Sequence, residues 1–214
     1  MTKPLPRLSS RPSLRHEKLC LAPVAGVDEA GRGPLAGPVV AAAVILPAKG
    51  VPRGLNDSKQ LSAAERERLF GRLQGCAAIG VGIVEPDEID RINIYWATMK
   101  AMTLAVDALA ATLGSPPGHV LVDGNRLPRW GHPATAIVGG DAKSLSIAAA
   151  SIVAKHTRDT IMIAAAKAHP MYEWHSNKGY GCPRHLAALR AHGPSPLHRR
   201  SFAPVRAVDT GLLL

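Results

Sequence analysis

Three apolar stretches of this sequence run into acidic residues, and this pattern constrains the fold more than any other feature. Stretches 22–28, 120–122 and 136–138 are typical of short strands, and Asp28-Glu29, Asp123 and Asp141 lie at their ends or just beyond. A single aspartate beside a glycine is usually only a turn residue. Three strand ends of the same kind instead predict an α/β fold that gathers the carboxylates at one edge of its sheet.

The first acidic pair is followed at once by the loop Gly31-Arg32-Gly33. Successive strand residues point to opposite faces, so we expect the strand to end or bend here if Asp28 and Glu29 serve one site. Hard divalent ions such as Mg²⁺ and Mn²⁺ prefer carboxylate oxygens, and glycines let bare backbone N–H groups approach a phosphate or a sugar. The segment therefore predicts a metal site beside a loop that exposes its backbone.

The rest of the chain alternates strands and helices. A strand at 39–46 should form a hairpin with the first, a capping box of Ser62 and Glu65 opens a helix that ends near residue 73, and a strand follows at 77–84. Long helices are predicted at 86–113 and 144–168. The first carries an apolar stripe, interpreted as core packing, at Ile89, Ile92, Trp96, Met99, Thr103, Val106, Ala110 and Leu113.

The chain of 214 residues has a formal charge of +10, with its basic surplus toward both ends. This charge favours a polyanionic partner, nucleic acid before membrane, although solubility alone is the simpler explanation. No stretch is long and apolar enough to span a membrane. We expect a disordered basic extension over residues 1–20, with a transit peptide as the alternative, and one catalytic domain over residues 21–214 with a basic, substrate-binding C-terminal region.

The sequence also argues against several kinds of chemistry. Cys20, Cys76 and Cys182 are odd in number and far apart, which disfavours a disulfide framework or structural zinc and fits a cytoplasmic protein. No GxSxG motif, Walker loop or catalytic cysteine–histidine spacing proposes a covalent nucleophile.

One helix face combines a hydroxyl with two cations. Ser151, Lys155 and Arg158 lie at positions i, i+4 and i+7 of the second long helix, so their side chains share a face that suits phosphate contacts. The alternative is a solvated face on which Lys155 pairs with Asp159.

Asp28, Glu29, Asp123 and Asp141 together match the needs of a two-metal nuclease. Two ions about 3.5–4 Å apart promote in-line hydrolysis of a phosphodiester, and clustered carboxylates offset the repulsion between the ions. No other set of residues in the chain fits a hydrolytic site as well.

The chain resembles the type 2 ribonucleases H, in particular bacterial ribonuclease HII. The resemblance leaves out residues 1–20 and otherwise runs almost from end to end. It rests on Val27-Asp28-Glu29-Ala30-Gly31-Arg32-Gly33-Pro34, Asn56-Asp57-Ser58-Lys59, Asp90-Arg91-Ile92-Asn93-Ile94, Val122-Asp123-Gly124, Ala149-Ala150-Ser151-Ile152-Val153-Ala154-Lys155, Lys178-Gly179-Tyr180-Gly181 and His198-Arg199-Arg200-Ser201-Phe202.

This resemblance implies a ribonuclease H-like α/β fold, with a central mixed sheet flanked by helices and a small C-terminal extension of helices and loops. It implies an endonuclease that uses two Mn²⁺ or Mg²⁺ ions to hydrolyse the RNA strand of RNA–DNA hybrids. It also implies incision 5′ to single ribonucleotides in duplex DNA, leaving a 3′-hydroxyl and a 5′-phosphate, as in ribonucleotide excision repair. We expect a cytoplasmic monomer, and contact with a sliding clamp is an open question.

The resemblance also assigns roles to residues. It implies that Asp28, Glu29, Asp123 and Asp141 bind the metal ions and that Gly31-Arg32-Gly33 contacts the 2′-hydroxyl of a ribonucleotide. Tyr180 would pack on the sugar of the adjoining deoxynucleotide. Candidate contacts to backbone phosphates are Ser58, Lys59, Ser151, Lys155 and Arg158.

Two departures from the family pattern stand out. Cys182 replaces a usual threonine, which leaves a hydroxyl contact there in doubt, and His156 replaces an aliphatic residue and receives no catalytic role. His185 and His198 are interpreted as packing partners, with steering of phosphates as the alternative.

Two other functions stay open. Ribonuclease HIII shares the carboxylates but is expected to have an extra N-terminal domain and a Gly-Lys-Gly loop. A non-catalytic hybrid-binding protein would explain the charge but gains nothing from carboxylates that repel phosphate.

Overall fold

The computed structural model describes residues 11–211. Within this range, the strands are β1 (Val24–Ala30), β2 (Val39–Ile45), β3 (Ala78–Val84), β4 (His119–Asp123) and β5 (Ala134–Ile137). The helices are α1 (Ala63–Gln74), α2 (Pro86–Leu113), α3 (Leu145–Ala168), α4 (Trp174–Asn177), α5 (Pro183–His192) and α6 (Ala203–Asp209).

The strands form one mixed sheet in the order β3-β2-β1-β4-β5. β2 lies antiparallel to β1 and β3, whereas β4 lies parallel to β1 and β5 lies parallel to β4. The predicted hairpin and the predicted mixed sheet are therefore confirmed. Because β1, β4 and β5 run in the same direction, their carboxyl ends meet at one edge of the sheet.

Helices cover both faces of this sheet. Ala41 and Ala43 of β2 pack in the same cluster as α2, whereas Ala42 and Val44 pack with α1 and α3. This division follows from the alternation of side chains along a strand. Both faces of the central strands are buried, which explains why their sequences are almost continuously apolar.

Asn93 interrupts α2, with a backbone φ of 66° and ψ of 164°. Its side-chain Oδ1 accepts hydrogen bonds from the N–H groups of Tyr95 and Trp96, at 3.0 and 3.2 Å, and so caps the helix where it restarts. The predicted stripe assumed one uninterrupted helix and is therefore wrong in part. Trp96 and Leu113, which were expected in the core, are exposed.

Residues 11–20 form an ordered segment, here called the N-terminal strap, where the sequence predicted disorder. The backbone of Ser13 pairs with the segment just before α3, and the Glu17 carboxylate accepts hydrogen bonds of 2.6 to 2.9 Å from Ser144 and Ser146. A carboxylate is favourable at the start of a helix because the helix dipole is positive there. The first ten residues of the predicted extension lie outside the described range.

The helices α4, α5 and α6 form the expected C-terminal extension. Trp174 packs with Met162 of α3, and Leu189 of α5 and Val205 of α6 pack against Leu35 in the loop after β1. The extension therefore lies against the loop that follows the first acidic pair. In the part of the chain that the structure describes, no helix combines the length and apolarity needed to cross a membrane.

Candidate active site

Three aspartates converge at the edge of the sheet where the parallel strands end. Val27 of β1 lies beside Val122 of β4, so Asp28 and Asp123 follow at neighbouring positions. Asp141 lies in a short turn after β5, and the N–H of Gly140 donates a 2.6 Å hydrogen bond to Asp123 Oδ1. As a result, one carboxylate oxygen from each aspartate lies within 4.8 Å of the other two.

Gly140 is the residue that allows this approach. A Cβ atom at this position would lie 2.6 Å from Ile147 Cδ1 and 3.3 Å from Asp123 Oδ1. A larger residue would therefore push the turn away from β4 and separate Asp141 from the other two aspartates. Close packing thus explains Gly140, whereas the preceding Gly139 has open space around it and takes a positive φ of 63°, which favours glycine.

The three carboxylates destabilise one another's charged form. Burial raises the pKa of Asp28 well above its usual value, and the charges of Glu29 and Asp123 raise it further. Burial and Asp123 likewise raise the pKa of Asp141. Over residues 11–211, none of the three aspartates forms an ion pair with a lysine, arginine or histidine. A buried all-oxygen site with unbalanced negative charge fits hard divalent cations such as Mg²⁺ and Mn²⁺.

Glu29 lies beside this group but not within it. β1 continues through Ala30 instead of ending at the acidic pair, so Asp28 and Glu29 start from opposite faces of the strand. Glu29 Oε1 accepts a 3.3 Å hydrogen bond from Arg32, and burial, opposed by the charge of Arg32, raises the pKa of Glu29. The strand thus ends two residues later than the predicted Asp28, and metal binding by Glu29 stays a prediction.

One cleft contains all the residues that the sequence pointed to as substrate contacts. Asp28 and Glu29 line it together with Gly31, Arg32, Gly33, Ser58, Lys59, Ser151, Lys155, Arg158 and Tyr180. These residues come from four distant parts of the sequence. The fold thus places a backbone-exposing loop, hydroxyls, cations and an exposed aromatic ring around the carboxylates.

The polar side chains of the cleft differ in whether the protein already supplies them with a hydrogen-bond or charge partner. Ser151 Oγ donates to Ser58 Oγ at 2.7 Å, so these two hydroxyls partly satisfy each other. Although burial opposes it, the charges of Asp57 and of the three clustered aspartates raise the pKa of Lys59. Lys59 is therefore held in its charged form beside the metal-site candidate.

The position of Lys155 is compatible both with a phosphate-contacting helix face and with a solvated face on which it pairs with Asp159. Its Nζ donates a 2.7 Å hydrogen bond to Asp159, as the solvated-face alternative predicts, yet it also lines the cleft. The same Nζ lies 6.0 Å from the centre of the Tyr180 ring. Tyr180 itself is 47% exposed, so one face of its ring is available to a ligand.

Arg158 is buried, and its guanidinium already has three backbone partners. Its donors reach the carbonyl oxygens of Pro38, Ala36 and Lys178, each at 3.0 Å. A Cβ atom on Gly31 would lie 2.1 Å from Arg158 Nε, so only glycine fits against this side chain. This geometry gives Arg158 a role in holding the loop after β1, and its predicted phosphate contact stays a prediction.

Arg199 was missed as a site residue, although its motif was noted. Its buried guanidinium donates to carbonyl oxygens of the same loop, those of Gly31, Arg32, Pro34 and Gly37. The sequence shows only two adjacent arginines near the C-terminus. Nothing in that pattern distinguishes the buried Arg199 from the exposed Arg200, which pairs with Asp209.

His185 and His198 are buried packing partners. His185 Nδ1 lies 2.9 Å from the carbonyl oxygen of Tyr180, and the Nε2 atoms of the two histidines are 3.0 Å apart. Because a carbonyl only accepts, His185 Nδ1 must donate, which leaves His185 Nε2 to accept from His198 and from Trp174. The pair therefore supports the backbone of Tyr180 and lies away from the cleft surface.

Of the two departures from the family pattern, His156 has a structural explanation and Cys182 has none. His156 stacks on Phe70 with ring centres 3.9 Å apart, which is the packing role of a helix-surface residue. Cys182 precedes α5 and makes no side-chain cap, while its backbone N–H donates to the carbonyl of Tyr180 at 2.8 Å.

Comparison with known proteins agrees with this geometry. The sequence profile described as Ribonuclease HII matches residues 25–205. A ribonuclease HII of Rhizorhabdus wittichii is 61% identical over 183 residues, which cover 86% of this chain and 89% of that protein. The ribonuclease H2 of Pyrococcus horikoshii OT3 superposes with a TM-score of 0.73 at 30% identity, over 88% of this chain and 97% of that one. The ribonuclease HII in a complex with PCNA from Archaeoglobus fulgidus superposes with a TM-score of 0.67 at 26% identity, over 82% and 91%.

Proposed function

The chain belongs to the ribonuclease HII family of hydrolases, and on this premise we propose that it incises duplex DNA on the 5′ side of single embedded ribonucleotides. The same site would hydrolyse the RNA strand of longer RNA–DNA hybrids and leave a 3′-hydroxyl and a 5′-phosphate. The observation that carries the proposal is the group of three aspartates, one of which, Asp28, lines a cleft whose walls combine cations, backbone amides and an aromatic ring.

The carboxylates are proposed to hold two divalent ions. Asp28 and Asp141 supply buried oxygens and Asp123 half-buried ones, and among the described residues none of the three forms an ion pair. Glu29 extends the set if it releases Arg32. When bound, Mg²⁺ or Mn²⁺ supplies activation of a water for in-line attack and stabilisation of the leaving 3′ oxygen. The protein contributes fixed positions for the carboxylates and a partly closed cleft.

Substrate recognition is divided among the walls of the cleft. The Gly31-Arg32-Gly33 loop is proposed to contact the 2′-hydroxyl, which is the group that distinguishes RNA from DNA. The exposed face of Tyr180 suits stacking on the adjoining sugar. Lys59 and Lys155 are placed to contact backbone phosphates, which position a duplex without specifying its sequence.

The test is to map cleavage of a labelled duplex that contains one ribonucleotide, in Mn²⁺ and in Mg²⁺. We expect one cut 5′ to the ribonucleotide, no cut in all-DNA duplex, and a product whose 3′ end a polymerase extends. Asp28→Asn should abolish the cut. Asp107→Asn is the matched control, because Asp107 is exposed on α2 and lies outside the cleft.

The same assay separates the alternatives. Hybrid binding without cleavage in either metal would establish the non-catalytic function instead. Cleavage within long hybrids but not at a single ribonucleotide would contradict the proposed specificity. The Gly31-Arg32-Gly33 sequence, rather than Gly-Lys-Gly, already favours ribonuclease HII over ribonuclease HIII.

We further propose that the protein acts as a monomer in the cytoplasm. Cys20, Cys76 and Cys182 are free thiols, which is compatible with a reducing compartment. Light scattering after size exclusion tests the oligomeric state. Because an archaeal relative forms a complex with PCNA, the same experiment repeated with the cognate sliding clamp tests whether this chain binds a clamp.

A further inference from the structure

Arg199 is a fully buried arginine whose partners are all backbone carbonyls. Its Nη2 donates to Gly31 at 2.6 Å, its Nη1 to Arg32 and Pro34 at 3.0 and 2.9 Å, and its Nε to Gly37 at 2.9 Å. No carboxylate among the described residues pairs with it. One guanidinium therefore determines the direction of four carbonyls in a single loop.

The direction of these carbonyls determines the direction of the neighbouring N–H groups. In a trans peptide the C=O and the following N–H point in opposite directions, and the peptides of this loop are trans. The carbonyls of Gly31 and Arg32 point to Arg199, so the N–H groups of Arg32 and Gly33 point away from it. Both residues line the cleft, so we infer that these N–H groups face it.

These two N–H groups are available to a ligand. Over the described range, neither finds an acceptor in the protein, whereas Leu35 and Gly37 of the same loop donate to the carbonyls of Gly179 and Leu197. Adjacent free amides that point into a cleft form a compact donor site for an oxygen atom. Their exposed position is what a hydroxyl-recognition site requires.

We propose that Arg199 is a positioning residue for ribonucleotide recognition, which it achieves by turning the amides of Arg32 and Gly33 toward the 2′-hydroxyl. The proposal rests on the proposed function, since it concerns how that site distinguishes a ribonucleotide from a deoxynucleotide. Arg199 does not touch substrate. Its effect reaches the substrate through the loop.

Only arginine has the geometry for this task. A guanidinium presents five donors in a rigid fork, whereas a lysine ammonium presents three from one point and cannot reach four carbonyls in the same way. Burial lowers the pKa of Arg199 to about 9, and the nearby charge of Arg158 contributes. Burying a charge without a counter-ion is a poor way to stabilise a fold, so the arrangement points to the shape of the loop as its purpose.

The test compares binding to two duplexes that differ by one 2′-hydroxyl. Fluorescence anisotropy would measure Kd for a single-ribonucleotide duplex and for all-DNA duplex, in an Asp28→Asn background that prevents cleavage. The ratio of the two Kd values does not depend on the fraction of protein that is folded. We expect Arg199→Lys to reduce the ribonucleotide preference about five- to tenfold, the effect of one or two weakened hydrogen bonds, with little change for all-DNA duplex.

Arg200→Lys is the matched control, because the adjacent Arg200 is exposed and its guanidinium pairs with Asp209 in the C-terminal helix, while its backbone N–H, which the substitution keeps, donates to Asp90. It should leave the preference unchanged. A preference that survives Arg199→Lys would overturn the proposal. A background protein with no preference at all would overturn the 2′-hydroxyl recognition on which the proposal rests.

A second measurement applies if Arg199→Lys fails to fold. Replacing Gly33 by its α-hydroxy counterpart turns one amide into an ester, which removes the N–H and weakens the Arg32 carbonyl as an acceptor for Arg199. The fold should tolerate this change, since that N–H has no partner in the described structure. The ribonucleotide preference should fall by a similar factor, and an unchanged preference would again overturn the proposal.

Discussion

Asp28→Asn should make the metal-free protein more stable while it removes the activity. The substitution keeps the size of a buried side chain and removes its charge. Asp28 lies in a group whose carboxylate oxygens are within 4.8 Å of one another, with no cationic partner in the described structure. The reason for the expected gain is that one of three mutually repelling charges disappears.

The geometry sets the scale of the effect. Two full charges 4.8 Å apart repel by about 3.5 kcal/mol at an effective dielectric constant of about 20. Part of this repulsion is relieved in the native protein to the extent that Asp28, whose pKa is raised by burial and by the charges of Glu29 and Asp123, is protonated. We therefore expect a gain of about 2 kcal/mol, which for a chain of this length raises Tm by about 4–8 °C.

Metal ions should reverse the order of stability. Ions at about 100 times their Kd stabilise a protein by about 2.7 kcal/mol, so Mn²⁺ should raise the Tm of the native protein and leave that of Asp28→Asn almost unchanged. Calorimetry in EDTA and in Mn²⁺ measures both shifts, with Asp107→Asn as control. The reasoning would be refuted if metal-free Asp28→Asn melted no higher than the metal-free native protein. It would also be refuted if Mn²⁺ raised the Tm of Asp28→Asn as much as it raises that of the native protein.

Three other outcomes follow from the site and its supports. Without metal, the free energy of unfolding should fall as pH rises from about 4 through the raised pKa of Asp28, since the folded state binds the proton more tightly. Chemical denaturation at several pH values should show a smaller fall in Asp28→Asn, in which only the raised pKa values of Glu29 and Asp141 still contribute. Tyr180→Ala should reduce cleavage at an isolated ribonucleotide more than cleavage within a long hybrid, and equal losses of kcat/KM would remove its role at the junction. If Lys155 contacts a phosphate, Lys155→Ala should lower the slope of log binding constant against log salt concentration by about one unit. An unchanged slope would mean that Lys155 pairs with Asp159 and contacts no phosphate.

The carboxylate site was predictable because it depends on local features of the sequence. Asp28, Asp123 and Asp141 follow apolar runs, and parallel strands bring their carboxyl ends together whatever the rest of the fold does. The nearby glycines were equally visible. The roles of the site residues stay predictions, but their common location is present in the structure.

The parts that were not predictable depend on contacts between distant residues. The stripe on α2 failed because Asn93 takes a left-handed φ of 66°, and one such residue changes which side chains face the core. The order of the N-terminal strap depends on Glu17 meeting Ser144 and Ser146 about 130 positions later. The burial of Arg199 likewise depends on a loop that a sequence pattern does not connect to it.

The distance along the chain between Arg199 and its loop has a consequence for biosynthesis. The carboxylates are all present once Asp141 has been made, but the guanidinium that holds Gly31 lies 168 residues after it. A contact this distant closes a long loop and forms late, after the strands and helices that precede it. During synthesis, the residues for hydrolysis therefore emerge before the residue that would restrict it to ribonucleotides. If Arg199 positions the Gly31-Arg32-Gly33 loop as proposed, the C-terminal extension is the last part needed for a site that selects ribonucleotides.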